Sequence, residues 1–205
     1  MRAVELGIRL ACGDEYTRAE AEWLAGAARA SGSADLNVVS LAFAAAALAS
    51  DAPAEARRLL ATVERLSGVR ETTYYARHLA AMLRVALAAG DPGLGERLAA
   101  ALEVRYPLDE HALCTARAQL AEHAGELAEA VALYADAAAR WQEFGNVAER
   151  AHALLGQGRC LHALGRSGAD GPLREAHELF ASMGYRPALA ETDALLEQVT
   201  PAPAS

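Results

Sequence analysis

The sequence predicts an all-α protein: a right-handed helix-pair solenoid of about five pairs with a C-terminal capping helix. About half of the residues (53%) are apolar and only 5% are aromatic, while alanine, the strongest helix former, is abundant. The densest β-branched run is the short NVV at 37–39. Five loop markers recur every 35 to 40 residues between Ala/Leu-rich stretches, a period typical of helix-pair repeats. The markers are Gly13, Asp51, Gly90, Gly125 and Gly165.

The markers and the stop signals between them set the helix pairs in order. Glycine favours helix ends, so Gly32 and Gly68 close the first two pairs, and Pro53 suits a first helical turn. The predicted pairs are 2–12 with 15–31, 35–50 with 53–67, 70–89 with 93–105, 109–124 with 126–143, and 147–164 with 171–183, followed by a last helix over 187–199. They form one array over 1–199, and TPAPAS at 200–205 is predicted to be a disordered tail.

The two ends of the array differ in polarity. The last helix carries its apolar residues on one side and Glu191, Asp193 and Glu197 elsewhere, as expected of a solvated end cap. The first helix has no polar outer side, since Val4 and Ile8 accompany Leu6 and Leu10. We therefore expect an upstream segment or a second subunit, in a homodimer through this helix, to cover it. The alternative is that the first helix frays.

Composition excludes several classes of function. The net charge of −8 argues against a nucleic-acid partner, which needs clustered positive charge. The longest apolar run, 38–49, is shorter than a membrane span and predicts a buried helix instead. Three cysteines without a paired motif or a signal peptide indicate reduced thiols and a cytoplasmic protein.

No catalytic, metal or cofactor site is predicted. The chain has no lysine, so a Walker A loop is absent, and no G-x-S-x-G occurs. His111 and Cys114 share a helical face, but only the distant His123 or Cys160 could complete a zinc site, which takes three or four ligands. GQG at 156–158 is interpreted as a small-residue seam for close helix packing. We therefore expect a protein that is not an enzyme.

The spacing around the markers resembles the tetratricopeptide repeat. That repeat has an Ala five residues, an aromatic nine residues and a Pro seventeen residues after its inter-helix glycine. Ala130 and Tyr134 follow Gly125 at these offsets, although Gln142 replaces the Pro, and Pro107 follows Gly90 at the third offset. The chain thus resembles a degenerate tetratricopeptide array over nearly its whole length.

The C-terminal part of the sequence shows a more specific resemblance. The stretch GELAEAVALYADAAARWQEFGNVAERAHALLGQGRCLHALGR is similar to the C-terminal repeat region of bacterial adenylyl/guanylyl cyclase–ATPase regulators or LuxR-type regulators. The similarity covers the repeats only, and it implies a sensor or scaffold rather than cyclase or ATPase activity.

The resemblance also implies a concave groove lined by the first helix of each pair. Its groove offsets fall on polar residues that share one helical face within each helix, and these would hold a peptide or a small polar or anionic ligand. The alternative is an ordinary solvated face. The predicted groove residues are Arg77, Arg84, Thr115, Gln119, Glu122, His152, Arg159 and His162.

Two functions follow as hypotheses. The first is a non-enzymatic module of a bacterial signalling or transcriptional regulator that binds a protein segment or a small effector in the groove. The second is a structural role, either as an oligomerisation module or as a C-terminal fragment that docks on an upstream ATPase or cyclase domain.

Overall fold

The computed structural model describes residues 1–16 and 18–199, and this part of the chain is all-helical, as predicted. It contains no strand. Beside the 3-10 turn Val69–Glu71, the described residues form eleven α-helices. They are α1 (Arg2–Cys12), α2 (Arg18–Ser31), α3 (Ala34–Leu48), α4 (Pro53–Arg65), α5 (Thr73–Ala88), α6 (Pro92–Ala100), α7 (Pro107–His123), α8 (Leu127–Phe144), α9 (Val147–Ala163), α10 (Asp170–Met183) and α11 (Arg186–Val199). The predicted disordered tail, 200–205, lies outside the described residues.

The chain divides into two compact units, which are treated separately below. The first unit comprises Met1–Leu10 and Asp14–Ala116, and the second comprises Ala11–Gly13 and Arg117–Ser205. The division falls inside α7, so its first half belongs to the first unit and its second half to the second.

The predicted helix bounds agree with the observed ones within three residues, with one exception. α6 ends at Ala100 rather than at 105. The amides of Arg105 and Tyr106 both donate to the carboxylate of Asp109, over 2.9 and 2.8 Å. In addition, Tyr106 precedes Pro107, and a residue before proline disfavours helical geometry. These local interactions favour a non-helical connection between α6 and α7.

The first unit is built around α3. This helix buries residues on all of its sides, including Val38, Leu41 and Leu48, which confirms the prediction of a buried helix over the apolar run. Tyr75 of α5 is fully buried and its hydroxyl donates to the carbonyl of Leu98 over 2.8 Å. The polar end of this large side chain is thus satisfied inside the core.

Close approach of α1 to α3 depends on Gly7. A Cβ atom at this position would lie 2.5 Å from the ring of Phe43. Because glycine has no Cβ, the Phe43 ring packs directly on the backbone of α1. The same ring contacts the His78 ring of α5 at 84°, with the centroids 5.3 Å apart.

The second unit contains the small-residue seam that the sequence predicts. A Cβ atom at Gly156 of α9 would lie 2.5 Å from Cζ of Tyr134 on α8, and one at Gly158 would lie 2.5 Å from Cγ of Leu173 on α10. Tyr134 and Leu173 are both buried. Their side chains therefore lie against the glycine backbone of α9 from two sides, which confirms the packing role of GQG.

We expect Gly156→Ala to destabilise the protein by about 1–3 kcal/mol, because the added methyl group overpacks the seam against the Tyr134 ring. Gly26→Ala in α2 is the matched control: the position is helical, and no atom lies within 4 Å of the added Cβ. This control should raise stability by about 0.5–1 kcal/mol through helix propensity. Urea unfolding followed by circular dichroism measures both changes, and equal effects would contradict the packing role of Gly156.

Candidate binding surfaces

The predicted groove residues differ in their exposure. Arg77 is exposed and Arg84 is half-buried, and both lie on the less buried face of α5. Thr115 and Gln119 of α7 are buried, with 1% and 6% exposure. Glu122, His152, Arg159 and His162 are half-buried. Exposure alone thus divides the predicted strip into parts that a ligand can reach to different degrees.

In the second unit, Arg159 is the centre of an ion-pair network. Its Nε and Nη2 donate to the two carboxylate oxygens of Glu122, over 2.5 and 2.9 Å. The Tyr134 hydroxyl donates to the same carboxylate over 2.7 Å, and Nη1 of Arg159 donates to Glu191 over 2.6 Å. Four helices, α7, α8, α9 and α11, meet in this network. Bidentate arginine–carboxylate pairing gives it directional strength.

The network shifts the pKa values of its members. Burial acts to raise the pKa of Glu122, but the hydrogen bonds and positive charge of Arg159 outweigh burial and leave this pKa below its ordinary value. The pKa of Arg159 is raised, chiefly by its hydrogen bonds to Glu122. Burial raises the pKa of Tyr134, and it raises that of the neighbouring Cys160 thiol to about 12. The tyrosine and the thiol therefore stay neutral at physiological pH, and the arginine–carboxylate pair stays charged.

The two predicted histidines of α9 also contact neighbouring helices. The His152 ring packs edge-on against Phe180 of α10, with centroids 5.0 Å apart. Nε2 of His162 lies 3.2 Å from the side-chain oxygen of Gln198 on α11. Together with the contact between Arg159 and Glu191, these interactions hold α10 and α11 to α9.

The first unit has a different arrangement on α5. Tyr74 is 40% exposed, and the Arg77 guanidinium carbon lies 6.0 Å from its ring centroid. The His78 ring stacks on Tyr74 with centroids 6.5 Å apart, and the Phe43 ring meets it edge-on at 5.3 Å. We call these four residues, Phe43, Tyr74, Arg77 and His78, the α5 surface.

His78 is oriented by its own helix. Its Nδ1 lies 2.9 Å from the carbonyl oxygen of Tyr74. Because a carbonyl oxygen can only accept, the Nδ1 atom of His78 carries the proton in this contact. Phe43, the ring that contacts His78, is itself held by its packing on Gly7.

Arg77 belongs both to the predicted groove residues and to the α5 surface, whereas the aromatic residues beside it do not follow from the groove offsets. Tyr74 lies three residues before Arg77 and therefore on the same helical face, a signal that was present in the sequence. Phe43 could not have been assigned in this way, because it comes from α3 and reaches the cluster only through helix packing.

A second surface lies between α1 and α2. A cleft of about 450 Å³ is lined by both helices, and the guanidinium of Arg2 lies 4.4 Å from the ring centroid of Trp23 at its edge. Arg9 donates to Glu20 across the cleft over 2.8 Å. We call this the α1–α2 groove. Its lining residues are Arg2, Glu5, Leu6, Arg9, Ala19, Glu20, Trp23 and Leu24.

The groove lies beside exposed apolar side chains. Val4 and Ile8 of α1 are 54% and 58% exposed, and Trp23 is 52% exposed. Ala3 and Leu6 of the same helix are buried. The prediction that α1 presents apolar residues on its outer side is thus confirmed for Val4 and Ile8.

Among residues 1–16 and 18–199, no three His, Cys, Asp or Glu side chains lie together as a metal ion would require. In the same part of the chain, no helix is both long and apolar enough to cross a membrane. Comparison with models of known protein families gives no match, and no curated protein is significantly similar to the chain. The tetratricopeptide resemblance therefore rests on residue spacing.

We expect Glu122→Gln to lower the free energy of unfolding by about 1–3 kcal/mol, because it removes the charge that Arg159 and Tyr134 surround. Glu197→Gln, an exposed carboxylate on α11, is the control and should change stability little.

The pH dependence adds a second readout for Glu122. Since its pKa is lower in the folded chain than in the unfolded chain, it stabilises the fold above the ordinary glutamate pKa, and this contribution is lost as pH falls through the lowered value. Urea unfolding at several pH values should show a smaller loss of stability on acidification for Glu122→Gln than for the unaltered chain. Parallel curves would contradict the assignment.

Proposed function

We propose that the chain is a tetratricopeptide-like, right-handed helix-pair solenoid over 1–199 that acts as a non-enzymatic binding module. Its ligand is a protein segment that offers carboxylates and apolar side chains to the α5 surface. The observation that carries this proposal is the exposed pair of Tyr74 and Arg77, with the His78 ring stacked on Tyr74 and Phe43 against His78.

The chemistry of the α5 surface favours an acidic peptide. Among the described residues, Arg77 forms no ion pair with a carboxylate. Its planar guanidinium can therefore take a carboxylate of a partner in two parallel hydrogen bonds. Tyr74 adds a rigid aromatic contact at low entropic cost. Tyrosine and arginine are also the residue types enriched at energetic centres of protein interfaces.

The α9 network favours a structural role for the second unit's predicted groove residues. Arg159 already contacts Glu122 and Glu191, so an incoming carboxylate would have to displace one of them. Ligand binding at α5 avoids this cost. We therefore place binding on α5 and assign Arg159 to holding α11.

The resemblance of the C-terminal stretch supports a wider context. We propose that the module belongs to a cytoplasmic bacterial signalling or transcriptional regulator and passes its binding state to a signalling domain. A bound segment changes that state only if it contacts two arrangements of the helices unequally. In a helix-pair array each pair contacts only its neighbours, so a segment that spans two pairs meets this condition when it fits one of their arrangements better.

We expect a labelled twelve-residue peptide of alternating glutamate and phenylalanine to bind the full chain, and its lysine counterpart not to bind. Arg77→Ala and Tyr74→Ala should each weaken binding at least fivefold, because they remove the charge and the ring that contact the peptide. Fluorescence anisotropy measures the affinity, which should fall as salt is added.

Arg65→Ala is the matched control, since Arg65 is an exposed arginine on α4 of the same unit. Competition by millimolar citrate would indicate a small anionic effector as the ligand instead of a peptide. Equal affinity of the Arg77→Ala and Arg65→Ala variants would contradict the proposed site.

Exposure of Val4 and Ile8 favours a second candidate function, a structural module that docks on an upstream domain or dimerises through α1. Under this proposal, light scattering across a concentration series shows a dimer, and Val4→Asp or Ile8→Asp dissociates it because a charge is placed in an apolar contact. Val104→Asp, at a valine that is 53% exposed outside α1, should leave the dimer intact. A monomer at all concentrations would exclude dimerisation.

A further inference from the structure

The second unit shows how this chain covers a groove between two paired helices. α11 packs on α10 and also contacts α9, and of its residues only Thr192 is fully buried. Glu191 of α11 binds Arg159 of α9 over 2.6 Å, and Asp193 lies 3.1 Å from His177 of α10. The covering helix thus supplies acidic side chains, and the helix pair beneath supplies basic ones.

The α1–α2 groove has a comparable chemistry. Leu6 and Leu24 belong to its lining, and charged side chains of α1 follow the edge in the order Arg2, Glu5, Arg9. Arg9 already has Glu20 as its partner. Among the described residues neither Arg2 nor Glu5 forms an ion pair, although Arg2 lies over Trp23. Their charges are therefore available to a molecule that enters the groove.

The order of charges along α1 also distinguishes a second copy of the chain from a partner helix as the occupant of the groove. The order is positive, negative, positive, and it is the same in both directions along the helix. In a symmetric antiparallel pairing of two copies of α1 centred on Glu5, the two Glu5 carboxylates would face each other. Such a like-charge contact disfavours a second copy. Opposite Arg2 and Glu5 the complementary order is acid and then base, and a helix presents it along one edge with a spacing of three or four residues.

We propose that the α1–α2 groove binds an amphipathic α-helix of a partner protein, whose apolar stripe packs on the exposed Trp23 and whose edge places an acid against Arg2 and a base against Glu5. The inference rests on the helix-pair array of the proposed function, but not on the α5 surface. Binding of a helix in a groove through an apolar stripe is a common mode of peptide recognition. It would cover the exposed ring of Trp23.

The test uses two stapled helical peptides with one leucine stripe, flanked by Glu-Lys-Glu in one and by Lys-Glu-Lys in the other. We expect the full chain to bind the first peptide at least tenfold more tightly, as measured by anisotropy. The double variant Arg2→Glu with Glu5→Arg should reverse the preference. The matched control is Glu55→Arg with Arg58→Glu, an ion pair of the same spacing on α4, which should leave the preference unchanged.

Acrylamide quenching of tryptophan fluorescence locates the peptide. Trp141 is only 1% exposed, so quenching reports mainly on Trp23, and the preferred peptide should protect it. Trp23→Phe should remove the signal. Equal affinity for the two peptides, or an unchanged preference in the Arg2/Glu5 double variant, would overturn the proposal.

Three further results would also overturn it, and each identifies another occupant. Protection of Trp23 that rises with protein concentration alone would indicate a second copy. Protection by millimolar free amino acids would indicate a small-molecule site. Loss of peptide binding in Arg77→Glu would place the peptide on the α5 surface. Retained binding in Arg77→Glu together with reversed preference in the double variant supports the groove, even if the α5 proposal fails.

Discussion

Close approach of a large side chain to a glycine backbone is the constraint on which both units depend. Aromatic residues make up 5% of the chain, and two of them pack where a neighbouring helix has no Cβ atom. In the first unit Phe43 packs on Gly7 and its ring contacts the ring of His78 in the α5 surface. In the second unit Tyr134 packs on Gly156, so that the tyrosine hydroxyl reaches Glu122 and helps to orient its carboxylate toward Arg159. Each glycine therefore affects a polar group that it does not contact: Gly7 affects His78 through Phe43, and Gly156 affects Glu122 through Tyr134.

The arginines differ in whether a carboxylate of the same chain pairs with them. All basic residues other than histidine are arginines, so the same planar group serves several roles. Arg159 forms ion pairs with carboxylates from two helices, so its charge is neutralised within the fold. Arg77 and Arg2 instead lie beside aromatic rings and face no carboxylate of the described residues. A cation over a ring is stabilised without being neutralised, and it remains able to bind an anion. That difference separates structural arginines from those suited to recognition.

The groove residues illustrate why resemblance to a repeat family identifies positions better than roles. Offsets from the inter-helix glycines select polar residues that share helical faces, and among them Arg77 is exposed on α5. The same offsets selected Thr115 and Gln119, which are buried. They also selected Arg159 and His162, whose side chains are occupied by α11. Spacing within a helix determines which residues share a face, but it carries no information about which other helix packs there.

Residue patterns along the chain are enough to predict the all-helical class, nearly every helix bound, the buried character of α3 and the packing role of Gly156 and Gly158. These features depend on local propensity, on glycine and proline at helix ends and on hydrophobic periodicity, and all three are set by residues close together in the sequence. Helix packing in three dimensions sets the network around Arg159, the contact of Phe43 with His78 and the groove beside Trp23. Each of these joins side chains from separate turns or helices. Their existence depends on helix packing angles and on rotamers, which residue spacing along the chain does not specify.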